Sequence, residues 1–270
     1  TQGVSSAASD VYKRQVEVKA HPTDDGWRYD YDALEHRLRT EPGLARIWIL
    51  CHPQNPTGHV FERDELERIA GIAERFDLIV ISDEIHSELV YLPRRHVPFA
   101  SLNADVATRT ITITSVSKSF NLAGLRWAIA HIGPATLRAE IDALPQHLTG
   151  VGNLMAVAAA SAAWTRGDEW QQACLAALDR RRHELRDLLL AHLPGVRYRI
   201  PQATYLAWLD CRSLGFDEEP VEMFRRRGVE LNPGPDFGVD GHGFVRLNFA
   251  TSGRVLEQIV RAMSGDRPMR

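Results

Sequence analysis

Four short apolar runs constrain the fold of this chain most strongly, because three of them end in polar residues and a helical pattern lies between the first two. The runs span residues 47–50, 78–82, 110–114 and 127–132. Apolar residues at helical spacing over residues 62–76 predict an amphipathic helix between the first two runs. Buried strands that alternate with helices are typical of a mostly parallel sheet with helices on both faces. We therefore predict an α/β fold.

Polar side chains follow three of these predicted strands. Asn55, Asp83 and Lys118 each come shortly after an apolar run. In open α/β sheets, ligands bind beyond the carboxyl ends of the strands. We therefore expect these three side chains to converge on one edge of the sheet.

Lys118 is unusual because the chain makes so little use of lysine. Of its 32 basic residues, only Lys13, Lys19 and Lys118 are lysines. An arginine-rich composition explains the scarcity, but it does not explain the setting of Lys118 among serines and an arginine. Arginine can replace lysine as a surface charge, but not as a reactive amine, because the guanidinium stays protonated. Lys118 is therefore our candidate for a Schiff-base amine.

The residues around Lys118 predict an anion pocket. Ser115 and Ser117 offer hydroxyl donors, and Arg126 follows in the same segment. Hydroxyls and a guanidinium suit a phosphate dianion, which arginine binds through two parallel hydrogen bonds. A phosphate beside a lysine amine indicates pyridoxal 5′-phosphate as the cofactor.

Three further residues fit the ring of that cofactor. Its pyridine nitrogen requires a carboxylate that keeps it protonated, and Asp83 lies at a strand end. Asn55 or His86 could hydrogen-bond its phenolic oxygen.

Two other interpretations of these motifs require further residues that the sequence lacks. Serine β-lactamases and penicillin-binding proteins share the S-x-x-K pattern of residues 115–118, but they also need S-D-N and K-T-G motifs, which are absent here. Asp83 and His86 could ligate a metal, but no third ligand is evident and H-E-x-x-H does not occur. We therefore predict no metal site.

The remainder of the chain divides into a tail and a second domain. We interpret residues 1–15 as a non-native or disordered tail, residues 16–165 as the cofactor-binding large domain and residues 166–270 as a smaller α+β domain. Further predicted elements are a buried helix over 153–163, a long amphipathic helix over 168–192 whose Arg180–Arg182 run faces solvent, strands over 205–210 and 243–249, and a closing helix over 255–263.

Composition excludes several classes of function. The net charge is −3, with acidic and basic residues interspersed, so neither a nucleic-acid nor a membrane surface is predicted. No apolar run is long enough to span a bilayer. Cys51, Cys174 and Cys211 are scattered, as expected for reduced thiols in a cytoplasmic protein.

Taken together, the motifs resemble those of fold-type I pyridoxal-phosphate enzymes of the aminotransferase superfamily. N-P-T-G at 55–58 and S-x-S-K-x-F-N-L-A-G-L-R at 115–126 are shared across that superfamily. S-D-E-I-H at 82–86, T-Y-L-A-W-L-D-C-R at 204–212 and the stretch 228–250 are most similar to the MalY/PatB-type cystathionine β-lyases. Typical aminotransferases carry tyrosine where His86 stands.

The resemblance implies a role for each matching residue. Lys118 would be the Schiff-base lysine and proton shuttle, and Arg246 would bind the α-carboxylate of the substrate. The other implied cofactor contacts are Asp83 to the pyridine nitrogen, Asn55 to the phenolic oxygen, and Ser115, Arg126 and, more weakly, Ser117 to the phosphate.

The activity implied is carbon–sulfur β-elimination from cystathionine or cysteine S-conjugates, which yields a thiol, pyruvate and ammonia. Two alternatives stay open: an amino-acid aminotransferase, and an aminotransferase-like effector domain of a pyridoxal-phosphate-dependent regulator. The resemblance also implies a homodimer of the full-length protein.

The resemblance covers residues 16–263, and members of the family are longer at the N-terminus. We therefore expect the large domain to be incomplete, with an exposed sheet edge. We also expect this chain to bind the cofactor weakly and to turn over little.

Overall fold

The computed structural model describes residues 15–23, 26–149 and 152–266. Residues 1–14 of the predicted tail therefore lie outside the described residues. The first elements are a hairpin and a helix that the sequence patterns did not predict. Their bounds are Ala20–Thr23 (β1), Gly26–Tyr29 (β2) and Tyr31–Thr40 (α1). Asp30 caps the helix, since its carboxylate accepts a hydrogen bond from the backbone N–H of Ala33 at 2.9 Å.

A four-stranded sheet with interspersed helices follows. Its elements are Ile47–Cys51 (β3), Arg63–Arg75 (α2), Ile79–Asp83 (β4), Ala104–Thr108 (α3), Thr110–Thr114 (β5), Val116–Ser119 (α4) and Ile129–Ile132 (β6). The strand order is β3-β4-β5-β6, with β3, β4 and β5 parallel and β6 antiparallel to β5. The predicted α/β class and mostly parallel sheet are confirmed.

The two faces of β3 differ in burial. Leu50 is buried in a core with Leu66 and Ile69 of α2. Ile47 and Ile49, whose side chains alternate with it, are 55% and 64% exposed. Helix cover on both faces, as predicted, is thus not found at β3 within the described residues.

Four helices connect this sheet to the rest of the chain: Ala135–Asp142 (α5), Gln146–Thr149 (α6), Leu154–Arg166 (α7) and Asp168–His192 (α8). The prediction that the helix over 153–163 is buried is wrong. Only Ala156 and Ala160 of α7 are buried, whereas Leu154 and Met155 are 80% and 70% exposed. An apolar composition shows that every face of a helix can be buried, but not that a neighbour covers each face.

A second four-stranded sheet lies in the C-terminal part. Its elements are Arg197–Tyr198 (β7), Leu206–Asp210 (β8), Pro220–Arg226 (α9), Asn232–Pro233 (β9), Phe244–Asn248 (β10) and Gly253–Ser264 (α10). The order is β7-β8-β10-β9, and all pairs are antiparallel. Leu185 and Leu189 of α8 share a core with Leu247 and with Val260 of α10. The domain boundary at 165/166 stays a prediction. None of the described helices is long and apolar enough to span a bilayer.

The Arg180–Arg182 run is not uniformly solvated, so its interpretation as a solvent-facing run is wrong for Arg182. The Arg182 guanidinium lies 4.2 Å from the centre of the Tyr91 ring and donates to the carbonyl oxygen of Pro201 at 2.9 Å. This side chain faces the loop after β4 and joins the two parts of the chain. A run of charged residues in the sequence indicates a polar helix face, but it does not show which of those residues contacts another segment.

Gly58, at the end of the N-P-T-G motif, meets the segment 201–204 at very close range. The backbone N–H groups of Gln202 and Ala203 both donate to the Gly58 carbonyl oxygen at 3.0 Å. Gly58 has φ +69°, and a Cβ there would lie 2.3 Å from Cβ of Pro201. Both the conformation and the contact require glycine.

Replacing Gly58 with alanine is therefore expected to destabilise the protein by roughly 2–4 kcal/mol, from backbone strain and overpacking. Gly71, inside α2, has no atom within 4 Å of an added Cβ. Gly71→Ala is the matched control and should stabilise by about 0.5–1 kcal/mol. Urea unfolding of both variants measures the difference, and equal midpoints would refute the close-contact argument.

Candidate active site

The strand ends bring three predicted site residues to the same edge of the first sheet. Asp83 is the last residue of β4 and pairs in register with Cys51, the last residue of β3. Asn55 lies in the loop after β3, and Lys118 lies in α4, which begins two residues after β5. Parallel strands place these segments side by side, as the positions of the polar residues predict.

Asp83 is a partly buried carboxyl group beside a lysine. Burial raises its pKa above the usual value, while a hydrogen bond from the backbone N–H of Ile85 and the charge of Lys118 lower it. The Ile85 nitrogen lies 3.3 Å from Asp83 Oδ1. The remaining acceptor capacity of the carboxylate is available to a proton donor. Within the part of the chain that the structure describes, Nζ of Lys118 forms no hydrogen bond or ion pair.

His86 is a neutral, buried imidazole in the same site. Its residue surface is 3% exposed, and its ring packs edge-on against Tyr205 with centroids 6.1 Å apart. Burial, and then the positive charges of Lys118 and Arg246, lower the pKa of His86 to about 4. Its buried Nδ1 has no hydrogen-bond partner among the described residues. His86 can therefore offer one hydrogen bond to a ligand but no charge at neutral pH.

Arg246 reaches the site from β10 and joins the two sheets. Its Nη1 donates to Asn55 Oδ1 at 2.8 Å, and its Nη2 donates to Asn232 Oδ1 at 2.9 Å. The guanidinium lies 4.6 Å from the centre of the Phe237 ring. A cation held on two amide oxygens and one ring face is preorganised for a carboxylate. The Asn232 and Phe237 contacts were not predicted from sequence.

The three predicted phosphate ligands differ in their surroundings. Ser115 is buried and caps α4, because its Oγ accepts from the backbone N–H of Ser117 at 3.0 Å and contacts the carbonyl oxygen of Trp127 at 2.6 Å. The hydroxyl oxygens of Ser115 and Ser117 lie 2.7 Å apart. Arg126 is exposed and has the left-handed φ of 49°. Among the described residues, Arg126 makes no hydrogen bond or ion pair to another predicted site residue, although the carbonyl oxygen of its neighbour Trp127 contacts both serine hydroxyls.

Hydrogen bonds that the sequence did not predict hold the segment next to Lys118. The Ser119 hydroxyl donates to the carboxylate of Glu88, and Gln171 of α8 donates to the Glu88 carbonyl oxygen at 2.5 Å. Ser119 is 2% exposed. The segment that carries Lys118 is thus attached to the loop after Asp83. In the described ranges, no group of three or more His, Cys, Asp or Glu residues could hold a metal ion.

The sequence model of aminotransferase class I and II matches residues 5–263. The chain belongs to this family. Cystathionine β-lyase PatB of Bacillus subtilis is 34% identical, with 88% of this chain and 62% of that protein covered. Such a relative confirms the expected similarity to MalY/PatB-type lyases.

Two solved structures share the fold. Cystalysin from Treponema denticola, which contains pyridoxal 5′-phosphate, is 26% identical with a TM-score of 0.86, over 93% of this chain and 64% of that one. N-Succinyldiaminopimelate aminotransferase from Mycobacterium tuberculosis is 32% identical with a TM-score of 0.81, over 93% of this chain and 65% of that one. The chain spans less than two thirds of the length of PatB and of these two proteins.

Proposed function

We propose that the protein is a pyridoxal-phosphate-dependent carbon–sulfur β-lyase that converts cystathionine or another cysteine S-conjugate, with water, into a thiol, pyruvate and ammonia. The observation that carries this proposal is the cluster at the sheet edge. Asp83 ends β4, Lys118 lies just after β5, and Arg246 Nη1 donates to Asn55 Oδ1 at 2.8 Å in the loop after β3. An amine, a carboxylate and a guanidinium at the carboxyl ends of parallel strands suit an amino acid bound to this cofactor.

The residues present fit pyridoxal phosphate. The Asp83 carboxylate can accept a hydrogen bond from a protonated pyridine nitrogen, and the unpartnered Nδ1 of His86 and the amide of Asn55 can bond a phenolic oxygen. Ser115, Ser117 and Arg126 are the proposed phosphate ligands. When bound, the cofactor supplies an electron sink for the charge that develops at the substrate α-carbon.

The protein's own residues perform the remaining steps. Arg246 binds the α-carboxylate and thereby fixes the orientation of the Cα–H bond. Lys118 accepts the α-proton on Nζ, because an uncharged amine has a lone pair and can act as general base. Asp83 holds the proton on the pyridine nitrogen. The Cβ–S bond then breaks, and the leaving thiolate takes up a proton.

An amino-acid aminotransferase is the second candidate, since the Mycobacterium tuberculosis aminotransferase shares this fold at 32% identity. The two candidates share the α-proton transfer and differ in the step after it. His86, where typical aminotransferases carry tyrosine, favours the lyase.

Pyruvate release from cystathionine, with and without an α-keto acid acceptor, separates the two candidates. A lyase is expected to form pyruvate and thiol in equal amounts without acceptor. Turnover that requires the acceptor and yields no free thiol would contradict the lyase and support the aminotransferase.

Two further proposals concern the whole protein. We propose that it forms a homodimer and acts in the cytoplasm, as sequence similarity to this enzyme class suggests. Sedimentation velocity and cell fractionation would test these two proposals.

A further inference from the structure

A buried carboxylate that the proposed chemistry does not use lies directly beside Asp83. Glu84 is 4% exposed. Its Oε1 accepts hydrogen bonds from the Ser82 hydroxyl at 2.8 Å and from the backbone N–H of Phe99 at 3.0 Å. Its Oε2 lies 2.7 Å from Nε2 of His96. A carboxylate is rarely buried without such partners, because desolvation of a charge is costly.

The surroundings of Glu84 favour its charged form. Burial raises its pKa, but the hydrogen bond and charge of His96, together with the bonds from Phe99 and Ser82, lower it below the usual value. The His52 ring packs on His96 with centroids 4.4 Å apart, and His52 Nε2 lies 3.1 Å from the carbonyl oxygen of Val97. Burial and the charge of His96 lower the pKa of His52 to about 4, so His52 is neutral at pH 7.

Backbone hydrogen bonds to the neighbouring strands hold the chain on both sides of Asp83. His52 N–H donates to the Asp83 carbonyl oxygen at 2.9 Å, and Glu84 N–H donates to the Ile113 carbonyl oxygen at 2.8 Å. Side chains alternate along a strand, so Asp83 points away from its neighbours Ser82 and Glu84. The negative charge of Glu84 acts on Asp83 and raises its pKa, in opposition to Lys118.

We propose that Glu84 is a positioning residue. Its hydrogen bonds to Ser82, His96 and Phe99 hold the end of β4 that carries Asp83 against the segment 96–99, and its negative charge strengthens the interaction of Asp83 with a protonated cofactor nitrogen. This inference rests on the proposed function for the identity of the cofactor. The interaction between the two carboxylates does not depend on it.

The test compares Glu84→Gln with the control Glu65→Gln in the 270-residue chain. Glu65 also pairs with a buried histidine, His59, at 2.9 Å, but it does not act on Asp83.

The titration of Asp83 is followed by ¹³C NMR of labelled aspartate carboxyls, with Asp83→Asn to assign the signal. The glutamine at position 84 keeps the size and acceptor oxygen but removes the charge. We expect the Asp83 midpoint to move to lower pH in Glu84→Gln and to stay in place in Glu65→Gln.

An unchanged Asp83 midpoint in folded Glu84→Gln overturns the proposal, and so does an equal shift in both variants. If circular dichroism shows that Glu84→Gln does not fold, Glu84→Asp decides. It retains the charge, so the midpoint should match that of the parent chain, and a downward shift in this variant overturns the proposal.

A second readout uses pyridoxal phosphate itself as the probe. Fluorescence titration should show binding weakened by a factor of about five or more in Glu84→Gln and unaltered in Glu65→Gln. Equal affinities in parent and Glu84→Gln chains contradict the tuning of Asp83. If no chain binds the probe, the carboxyl titration alone decides the role of Glu84, and the pyruvate assay alone decides the proposed function.

Discussion

Replacement of Lys118 by arginine is expected to lower pyruvate release from cystathionine by roughly 1,000-fold or more. Arginine keeps the positive charge beside Asp83 and His86, so the electrostatics of the site change little. A guanidinium, however, stays protonated at any accessible pH and can neither bond covalently to the cofactor carbonyl nor accept the α-proton. The assay measures pyruvate with a coupled dehydrogenase.

Lys19→Arg is the matched control for this substitution. Lys19 is exposed and pairs with Asp240 at 3.3 Å, an interaction that arginine can retain. Treatment with borohydride, digestion and peptide mass spectrometry should then locate bound cofactor on Lys118 in the parent and control chains and nowhere in Lys118→Arg. Pyruvate release by Lys118→Arg within tenfold of the parent would contradict the assignment of Lys118.

The central sheet could be predicted because each strand has a strong local signal. Residues 47–50, 78–82 and 110–114 are apolar or β-branched runs bounded by polar residues, and the strands observed there differ by at most one residue at each end. Helix α8 was likewise predicted at residues 168–192 from its period. Such signals depend only on residues that are close in sequence, so they can be read from a single sequence.

Burial of α7 and of Arg182 could not be predicted in the same way, because it depends on which segments meet. The hairpin β1–β2 and the helix α1 have only boundary residues as a local signal, without a clear hydrophobic period. Gly26 has φ +148° at the start of β2, and Asp30 caps the following helix. Glycine and a capping aspartate mark such boundaries.

The site shows the same division between local and long-range information. Strand ends placed Asn55, Asp83 and Lys118 together, since parallel strands share an edge. Arg246 lies 191 residues from its partner Asn55 in sequence, and only the family motif indicated its role. Its second partner, Asn232, is its register neighbour on β9, a pairing of two short segments that no periodicity reveals.

Replacement of Arg246 by lysine is expected to lower kcat/KM for cystathionine roughly 30-fold, or about 2 kcal/mol, chiefly through a higher KM. The two Nη atoms of Arg246 are held by Asn55 and Asn232, and the plane lies near the Phe237 ring. A lysine ammonium is a point charge that cannot keep both amide contacts while it binds a carboxylate. Steady-state kinetics on both chains measure the loss.

Arg212→Lys, in the turn that follows β8, is the matched control. The Arg212 guanidinium also lies over a phenylalanine, 4.8 Å from the Phe244 ring centre, and bonds both oxygens of Asp210 at 2.8 and 2.7 Å. Competition by L-alanine and by ethylamine, which lacks the carboxylate, then isolates the contact. Arg246→Lys should weaken inhibition by L-alanine and leave inhibition by ethylamine unchanged, while Arg212→Lys should alter neither. An equal loss for both inhibitors in Arg246→Lys would show that Arg246 supports the site without binding the carboxylate.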